Sequence, residues 1–460
     1  MANDQPNIIF IVFDTMRRDA LGCYGGRPFT PNIDRFSNTA HMFINAISPS
    51  PWTLPSHVSF FTGKYPSRHG IHETYDSKIE TLLSKMNECT YTTITRRLAD
   101  KGYNCIGLSA NGVISNGSGF ENGFNSFRDI NMLDGVDNEI AKILSDSGVE
   151  DVANQTEAVK RMILRGKIVQ LGMMGYNILK LKRRISSLGY PVEKGGSMIA
   201  SSLESSSFEL PLFLFVNMME MHDPYTNKDS GVFFHKDSNS TMIPDLFGTD
   251  RIPIRVMRTI RTEYFRRAAL ADSYFGRIVK FLKKCNIYDN SLIIVTSDHG
   301  QALRERNFYG HGIFLYDELV RVPLIIKQPH MTINRVRNEY VSTCSIFDLI
   351  SQAATGDGVF NIETSKFVVT EAYGIQHSTK MRPISDQKML PVRRTIDVSR
   401  KAIYKDDYKI SVDGVNGRIE EFSYKGMPLS PLDRRDQARN LLNDLQIFTG
   451  QEKFIIPDKL

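Results

Sequence analysis

Asn7-Ile-Ile-Phe-Ile-Val-Phe-Asp14 (NIIFIVFD, residues 7–14) is a run of large apolar side chains without alternation, closed by an acid. A strand with one wet face alternates apolar and polar residues, whereas one covered on both faces does not. Residues 7–13 therefore predict a strand buried inside a sheet. The same pattern recurs in PLFLFVNM from Pro211 and SLIIVTS from Ser291. CIGLSA from Cys105 follows the helical stretch TTITRRLADKGY, which Gly102 ends, and VPLIIK from Val322 follows another helical stretch. Strands alternating with helices from Asn7 to Lys327 predict an α/β fold, a large, mostly parallel sheet sandwiched by helices. No G-x-G-x-x-G follows the first strand, which argues against a dinucleotide site.

The character changes after about residue 375. TIDVSRKAIYKDDYKISVDG and GRIEEFSYKG alternate and turn at Gly or Asp, as a small antiparallel sheet does, and DRRDQARNLLNDLQIF reads as a closing helix. The 460 residues are long for one core and short for three. The expected division is a large α/β domain at 1–375 and a small α+β subdomain at 376–460. Within the first, about 138–210 reads as an insert without a clear strand. Residues 160–184 in it carry eight basic and no acidic residues, interleaved with apolar ones. Such a segment reads either as a peripheral contact to an anionic membrane or as a solvated helix over the core.

A hydrophobic fraction of 41% and a charged fraction of 23% are those of an ordinary globular chain, and a net charge of +6 is too modest at this length to indicate nucleic acid. Five cysteines, Cys23, Cys89, Cys105, Cys285 and Cys344, form no C-x-x-C pair and predict neither a disulfide framework nor a zinc knuckle. The N-terminal residues lack a basic region followed by a long apolar stretch, so the expected location is cytoplasmic.

In an open α/β sheet ligands bind beyond the carboxyl ends of the strands. Two of these ends carry acids: Asp14, and Asp298 followed by His299. Two carboxylates and an imidazole make a candidate set for one divalent ion, with Mn²⁺ or Ca²⁺ first and Zn²⁺ as a further candidate. The stretch PWTLPSHVSFFTG (51–63) predicts a short helix that starts near Pro55 and stops at Gly63, with Thr53 at its N-terminus. There Thr53 is either a plain N-cap or a nucleophile whose hydroxyl the ion and the helix N-terminus activate. MHDPY and GHG place His222 and His311 near other strand ends, as anion contacts or general acids.

The ordered set NIIFIVFDTMRRDALGCYG, TPNIDRFSNTAHMFINAISPSPWTLPSHVSFFTGKYPSRHG, FLFVNMMEMHDPY, TSDHGQ, GHGIFLYDELVRVPLII and RKAIYKDDYKI resembles the sulfatase family of the alkaline phosphatase superfamily. The resemblance implies that family's α/β core with a small C-terminal sheet. It also implies Asp14, Asp298 and His299 as metal ligands together with Thr53, and Thr53, His222 and His311 as catalytic residues. His57 and Asn111 are implied as substrate contacts.

This chain departs from the family pattern at several places. T-L-P-S-H stands where members that use formylglycine have C/S-x-P-S-R, and threonine is not a precursor of formylglycine, so none is expected. Thr15 replaces a common second aspartate, His57 replaces the arginine, Asn111 lies where a lysine is common, and no Gly-Lys follows GHG. Relatives in the superfamily use an unmodified threonine to take up a phosphoryl group. The expected function is therefore metal-dependent hydrolysis or transfer of phosphate esters, then sulfate esters, of a glycan or lipid head group through Thr53. The alternative is a non-catalytic anion- or glycan-binding member. Arg251, Arg255, Arg258, Arg261, Arg266 and Arg267 read as an approach for an anionic sugar or lipid, or as a solvated helix face.

Overall fold

The first strand, β1, is Asn7–Phe13, and all of its side chains are buried. The computed structural model describes residues 5–450 except Pro28, 73–84, 87–90, 131–192, Pro224, 226–253, Asp357, 375–395 and Asn416. Further strands in chain order are β2 (His41–Ile47), β3 (Asn104–Ser109), β4 (Ser126–Asp129), β5 (Leu212–Met218) and β6 (Ser291–Ser297), a short hairpin of β7 (Ala302–Leu303) and β8 (Tyr309–Gly310), then β9 (Arg321–Lys327) and β10 (Arg335–Ser342). The helices that cover them are α1 (Pro31–Ser37), α2 (Thr53–Thr62), α3 (Ile94–Asp100), α4 (Gly196–Glu204), α5 (Ile254–Lys284) and α6 (Ile346–Ala353).

The main sheet has the order β10-β2-β9-β6-β1-β5-β3-β4. Its neighbours run parallel except for β9, which is antiparallel to both β6 and β2. The residue-by-residue alternation of Cβ direction along a strand divides the apolar run of β1 between two cores. Ile9, Ile11 and Phe13 pack with Tyr264 and Phe275 of α5, while Ile8, Phe10 and Val12 pack with Val58 and Phe60 of α2 and Ile350 of α6. The register places the site: Phe13 pairs with Met218 on one side and Ser297 on the other. Three chain segments thus leave the sheet at one level, led by Asp14, Met219 and Asp298.

A second sheet runs antiparallel in the order β11 (Val368–Tyr373), β12 (Ser399–Lys405), β13 (Tyr408–Asp413), β14 (Ile419–Tyr424), β15 (Met427–Pro428). Its first strand lies ahead of the division expected at 375–376. A closing helix, α7 (Arg435–Thr449), packs Ala438, Leu441, Leu442 and Leu445 on one face of this sheet. The other face meets the main domain through Val368, Ala402 and Tyr404 against Ile47, Phe314 and Leu319. The basic stretch 160–184 lies outside the described residues. Among those described, no helix is long and apolar enough to cross a membrane.

Candidate active site

Asp14, Asp298 and His299 meet at the ends of β1 and β6, each fully buried, and one donor atom of each lies within 4.8 Å of the others. Asp14 Oδ2 accepts from Asn111 Nδ2 at 2.6 Å and from the Thr53 hydroxyl at 3.3 Å. Asp298 Oδ1 accepts the backbone N–H groups of Thr15 at 3.2 Å and His299 at 2.8 Å. To donate there Thr15 adopts φ 57°, a left-handed conformation costly for a β-branched residue. Tyr264 holds that turn by donating its hydroxyl to the Thr15 carbonyl at 2.8 Å.

The other two carboxylate oxygens, Asp14 Oδ1 and Asp298 Oδ2, are buried without a hydrogen-bond partner among the described residues. Burial pushes the Asp14 carboxyl above its usual range against the pull of His222. Burial, and then the Asp14 charge, push Asp298 well above it. Two adjacent buried carboxylates with unsatisfied oxygens are expensive, so the pair calls for positive charge between them. His299 completes a suitable donor set. Its Nδ1–H donates to the Gly300 carbonyl at 2.9 Å, which leaves the Nε2 lone pair toward Asp298 Oδ2 at 3.5 Å and Thr53 Oγ1 at 3.3 Å. Burial, then His311, hold this imidazole well below its ordinary pKa. A neutral imidazole with two carboxylates fits one divalent cation.

Thr53 is the first residue of α2, not its cap. The N-cap is Trp52, without a side-chain cap, and Pro55 lies third in the helix rather than first. The helix stops at Gly63 with φ 68°, the expected left-handed end. Relieved of capping, the Thr53 hydroxyl faces Asp14 and His299 instead. A free helix start beside it favours negative charge at that oxygen.

His57 stands elsewhere than expected of a substrate contact. It is fully buried; Nδ1–H donates to the Thr53 carbonyl at 2.9 Å, and Nε2 accepts from Asn217 Nδ2 at 2.8 Å. Both ring nitrogens are committed inside the protein, and burial lowers the ring to about 4. Asn111 is likewise turned inward, onto Asp14, with Oδ1 accepting the Val113 N–H at 2.7 Å.

His222 and His311 line the accessible side, their ring centroids 5.1 Å apart, with His311 4.6 Å from His299. His222 Nδ1 lies 2.9 Å from Asp223 Oδ1. Burial opposes its charge, yet the carboxylates of Asp223 and Asp14 raise it to about 9. His311 donates Nδ1–H to Gln301 Oε1 at 2.7 Å, and burial, then His222, lower it to about 3. The two histidines thus hold opposite protonation states at neutral pH, one a proton donor and one an acceptor at Nε2.

Asp223, Asn217 and Gln301 were not singled out in the sequence. Asp223 and Gln301 do sit inside the quoted motifs MHDPY and TSDHGQ, where the polar neighbour of a candidate histidine was the available signal. Of the arginine-rich segment, Arg255, Arg258, Arg261 and Arg266 are exposed on α5 and Arg267 is buried; Arg251 lies outside the described residues.

A family model described as Sulfatase matches residues 6–356. Iduronate 2-sulfatase of Mus musculus is 24% identical over 379 residues, 72% of this chain and 61% of that protein. N-acetylglucosamine-6-O-sulfatase of Bacteroides thetaiotaomicron is 23% identical over 368 residues, 71% of this chain and 63% of its own length. The chain thus spans about three fifths of these curated relatives. A phosphonate monoester hydrolase from Silicibacter pomeroyi shares the fold, with a TM-score of 0.61 at 15% identity over 96% of this chain and 95% of that one.

Proposed function

The chain belongs to the sulfatase family, with its alkaline phosphatase-like fold, and we propose that it is a metal-dependent hydrolase or transferase of anionic esters that works through an unmodified Thr53. The observation that carries this reading is the Thr53 hydroxyl, 3.3 Å from both Asp14 Oδ2 and His299 Nε2 and free of any capping duty. Asp14, Asp298 and His299, with Thr53, would hold one divalent ion, Mn²⁺ or Ca²⁺ first and Zn²⁺ as a further candidate. Such an ion supplies the positive charge that the two carboxylates lack and Lewis acidity toward oxygen.

The protein's own groups supply the rest. As the bond from Thr53 Oγ1 to phosphorus or sulfur forms, the hydroxyl proton passes toward Asp14 Oδ2, which it already addresses. The bond from phosphorus or sulfur to the ester oxygen breaks, and the departing alcohol takes a proton from the His222 imidazolium. His311, neutral with Nδ1–H fixed by Gln301, is placed to take the proton of the water or alcohol that then displaces Thr53; the Thr53 oxygen recovers its proton from Asp14, and the proton gained at His311 replaces the one His222 gave up. His57 and Asn111 act by holding Thr53 and Asp14 in place. A phosphate ester is the first substrate class, because threonine lacks the hydrate elimination by which formylglycine releases sulfate. Sulfated sugars come next, supported by the sugar sulfatases among the relatives.

Hydrolysis of aryl phosphate, aryl phosphodiester and aryl sulfate esters by wild type and Thr53→Ala, with Mn²⁺, Ca²⁺, Zn²⁺ or chelator, tests this. Metal-dependent turnover that vanishes in the variant supports it. Metal binding without turnover of any ester would move the anion- or glycan-binding reading ahead.

A further inference from the structure

A lysine from none of the quoted motifs stands beside the site. Lys194 follows the stretch 131–192 and precedes Gly195 and Gly196 at the start of α4. Gly195 has φ 109°, and a Cβ there would come within 2.5 Å of the Ile130 carbonyl oxygen and 2.9 Å of Ala110 Cβ. A Cβ on Gly196 would meet the Tyr274 ring at 2.4 Å and Glu220 Oε1 at 2.6 Å. Two glycines in a row let the backbone pass between Ala110, the neighbour of Asn111, and Glu220, two residues ahead of His222. Glu220 is fully buried. Its Oε1 accepts the N–H of Gly196 at 2.7 Å and of Lys194 at 3.3 Å, which fixes the turn.

From that turn the Lys194 side chain reaches the main chain at His222. Its ammonium donates to the His222 carbonyl and lies 5.7 Å from the Tyr225 ring centroid. Burial, and then Arg267, hold the Lys194 amine well below its ordinary pKa against the pull of Asp223, Glu220 and Asp14, so a bound anion would favour its charged form. An ammonium carries three N–H donors; among the described residues one goes to the His222 carbonyl, which leaves two for a ligand. In the core motifs, Asn111 and the sequence after GHG offer no cation in their place.

We infer that Lys194 belongs to the active site, its ammonium binding the anionic group of the ester beside His222, so that the flank of the 131–192 stretch supplies a cation the core motifs lack. This rests on the reading of Thr53, His222 and the metal donors as an anion-transfer site.

The test is binding of inorganic phosphate and inorganic sulfate, by calorimetry with Mn²⁺ present, in the Thr53→Ala background and in the same background with Lys194→Gln or Lys194→Arg. Glutamine keeps a donor for the His222 carbonyl while removing the charge. The expected result is a loss of anion affinity of about tenfold or more in Lys194→Gln, substantial recovery in Lys194→Arg, and unchanged Mn²⁺ affinity and melting temperature. Unchanged anion affinity in Lys194→Gln would overturn the inference, as would a loss that tracks weaker Mn²⁺ binding or that arginine fails to restore. The nucleophile is judged separately, by whether Thr53→Ala alone abolishes turnover; anion binding that needs Lys194 in a protein whose turnover survives Thr53→Ala would sink the nucleophile and keep the lysine.

Discussion

His57 Nδ1 donates to the carbonyl oxygen of Thr53 at 2.9 Å, from one turn further along the same helix. The other ring nitrogen is fastened to Asn217 on β5 at 2.8 Å, so the first turn of α2 is tied to the centre of the sheet. A side chain one turn from the hydroxyl thus serves as a strut beneath it.

Acid should weaken that strut. His57 falls from an ordinary value of 6.5 to about 4 in the folded protein because it is buried. Between those values the unfolded chain binds a proton that the folded one refuses, so this contribution is present above pH 6.5 and is lost as pH falls toward 4. Its size is about 3 kcal/mol at most. Urea unfolding of wild type and His57→Gln across this range, at saturating Mn²⁺, isolates it from the buried carboxylates. The wild type is expected to lose stability relative to the variant as pH drops; parallel curves would remove His57 as the cause.

Thr53→Ala should separate chemistry from folding. The hydroxyl caps nothing, so its loss is expected to change stability by no more than about 1 kcal/mol, while turnover falls by about 10⁴-fold or more. Thr53→Ser is expected to keep measurable activity. Intact-mass measurement on acid-quenched reactions should find one phosphoryl or sulfuryl group on wild type and none on the alanine variant. Equal turnover by both proteins would reduce Thr53 to a packing residue.

Metal should act as a stabiliser whose effect depends on the orphaned oxygens Asp14 Oδ1 and Asp298 Oδ2. A ligand at 100 times its dissociation constant stabilises by about 2.7 kcal/mol, and thermal melts with and without chelator read this directly. Asp298→Asn is expected to abolish the metal-induced rise. It should also match or exceed the wild type's stability in chelator, because it removes a buried charge next to Asp14. If Asp298→Asn keeps the full metal response, the ion binds elsewhere.

Strands β1, β5 and β6 were legible in the sequence because burial on both faces removes alternation, and their ends marked Asp14, Asp298 and His299. β10 was not: its burial runs from exposed at Arg335 and Val336 to buried at Tyr340–Ser342, the mixed pattern of a sheet edge. The antiparallel sense of β9 is invisible locally, since VPLIIK is equally apolar in either direction. The inward placement of His57 was not legible in the sequence. Its role was implied by the family arginine it replaces, whereas its ring is held by the Thr53 carbonyl and by Asn217 on a distant strand, which no local pattern reports. Lys194 was hidden because its position depends on a turn anchored by Glu220, with no periodicity of its own.

The small sheet should set the geometry of the site as well as cover it. Lys409 on β13 is nearly buried, 2.8 Å from Glu421 and 3.0 Å from Asp317. Asp317 also accepts the Tyr404 hydroxyl at 2.8 Å. Asp317 opens the short turn Asp317–Val320, whose Leu319 carbonyl accepts Gly300 N–H and whose Val320 carbonyl accepts Ser48 N–H, each at 2.7 Å. Ser48 in turn donates its hydroxyl to the Asp298 carbonyl. Two of the hydrogen bonds to the Asp298-His299-Gly300 backbone thus trace to one turn that Lys409 holds from the other sheet. Lys409 is nearly buried but Asp317 and Glu421 are partly exposed and keep Arg321 and Arg306 as partners, so Lys409→Met should lower stability in denaturant unfolding by less than the ~3–5 kcal/mol of a fully buried pair. Mn²⁺ affinity should fall with it even at temperatures where the variant remains folded, and Lys409→Arg should recover part of both. Lost stability with undiminished Mn²⁺ affinity would leave the sheet a cover and nothing more.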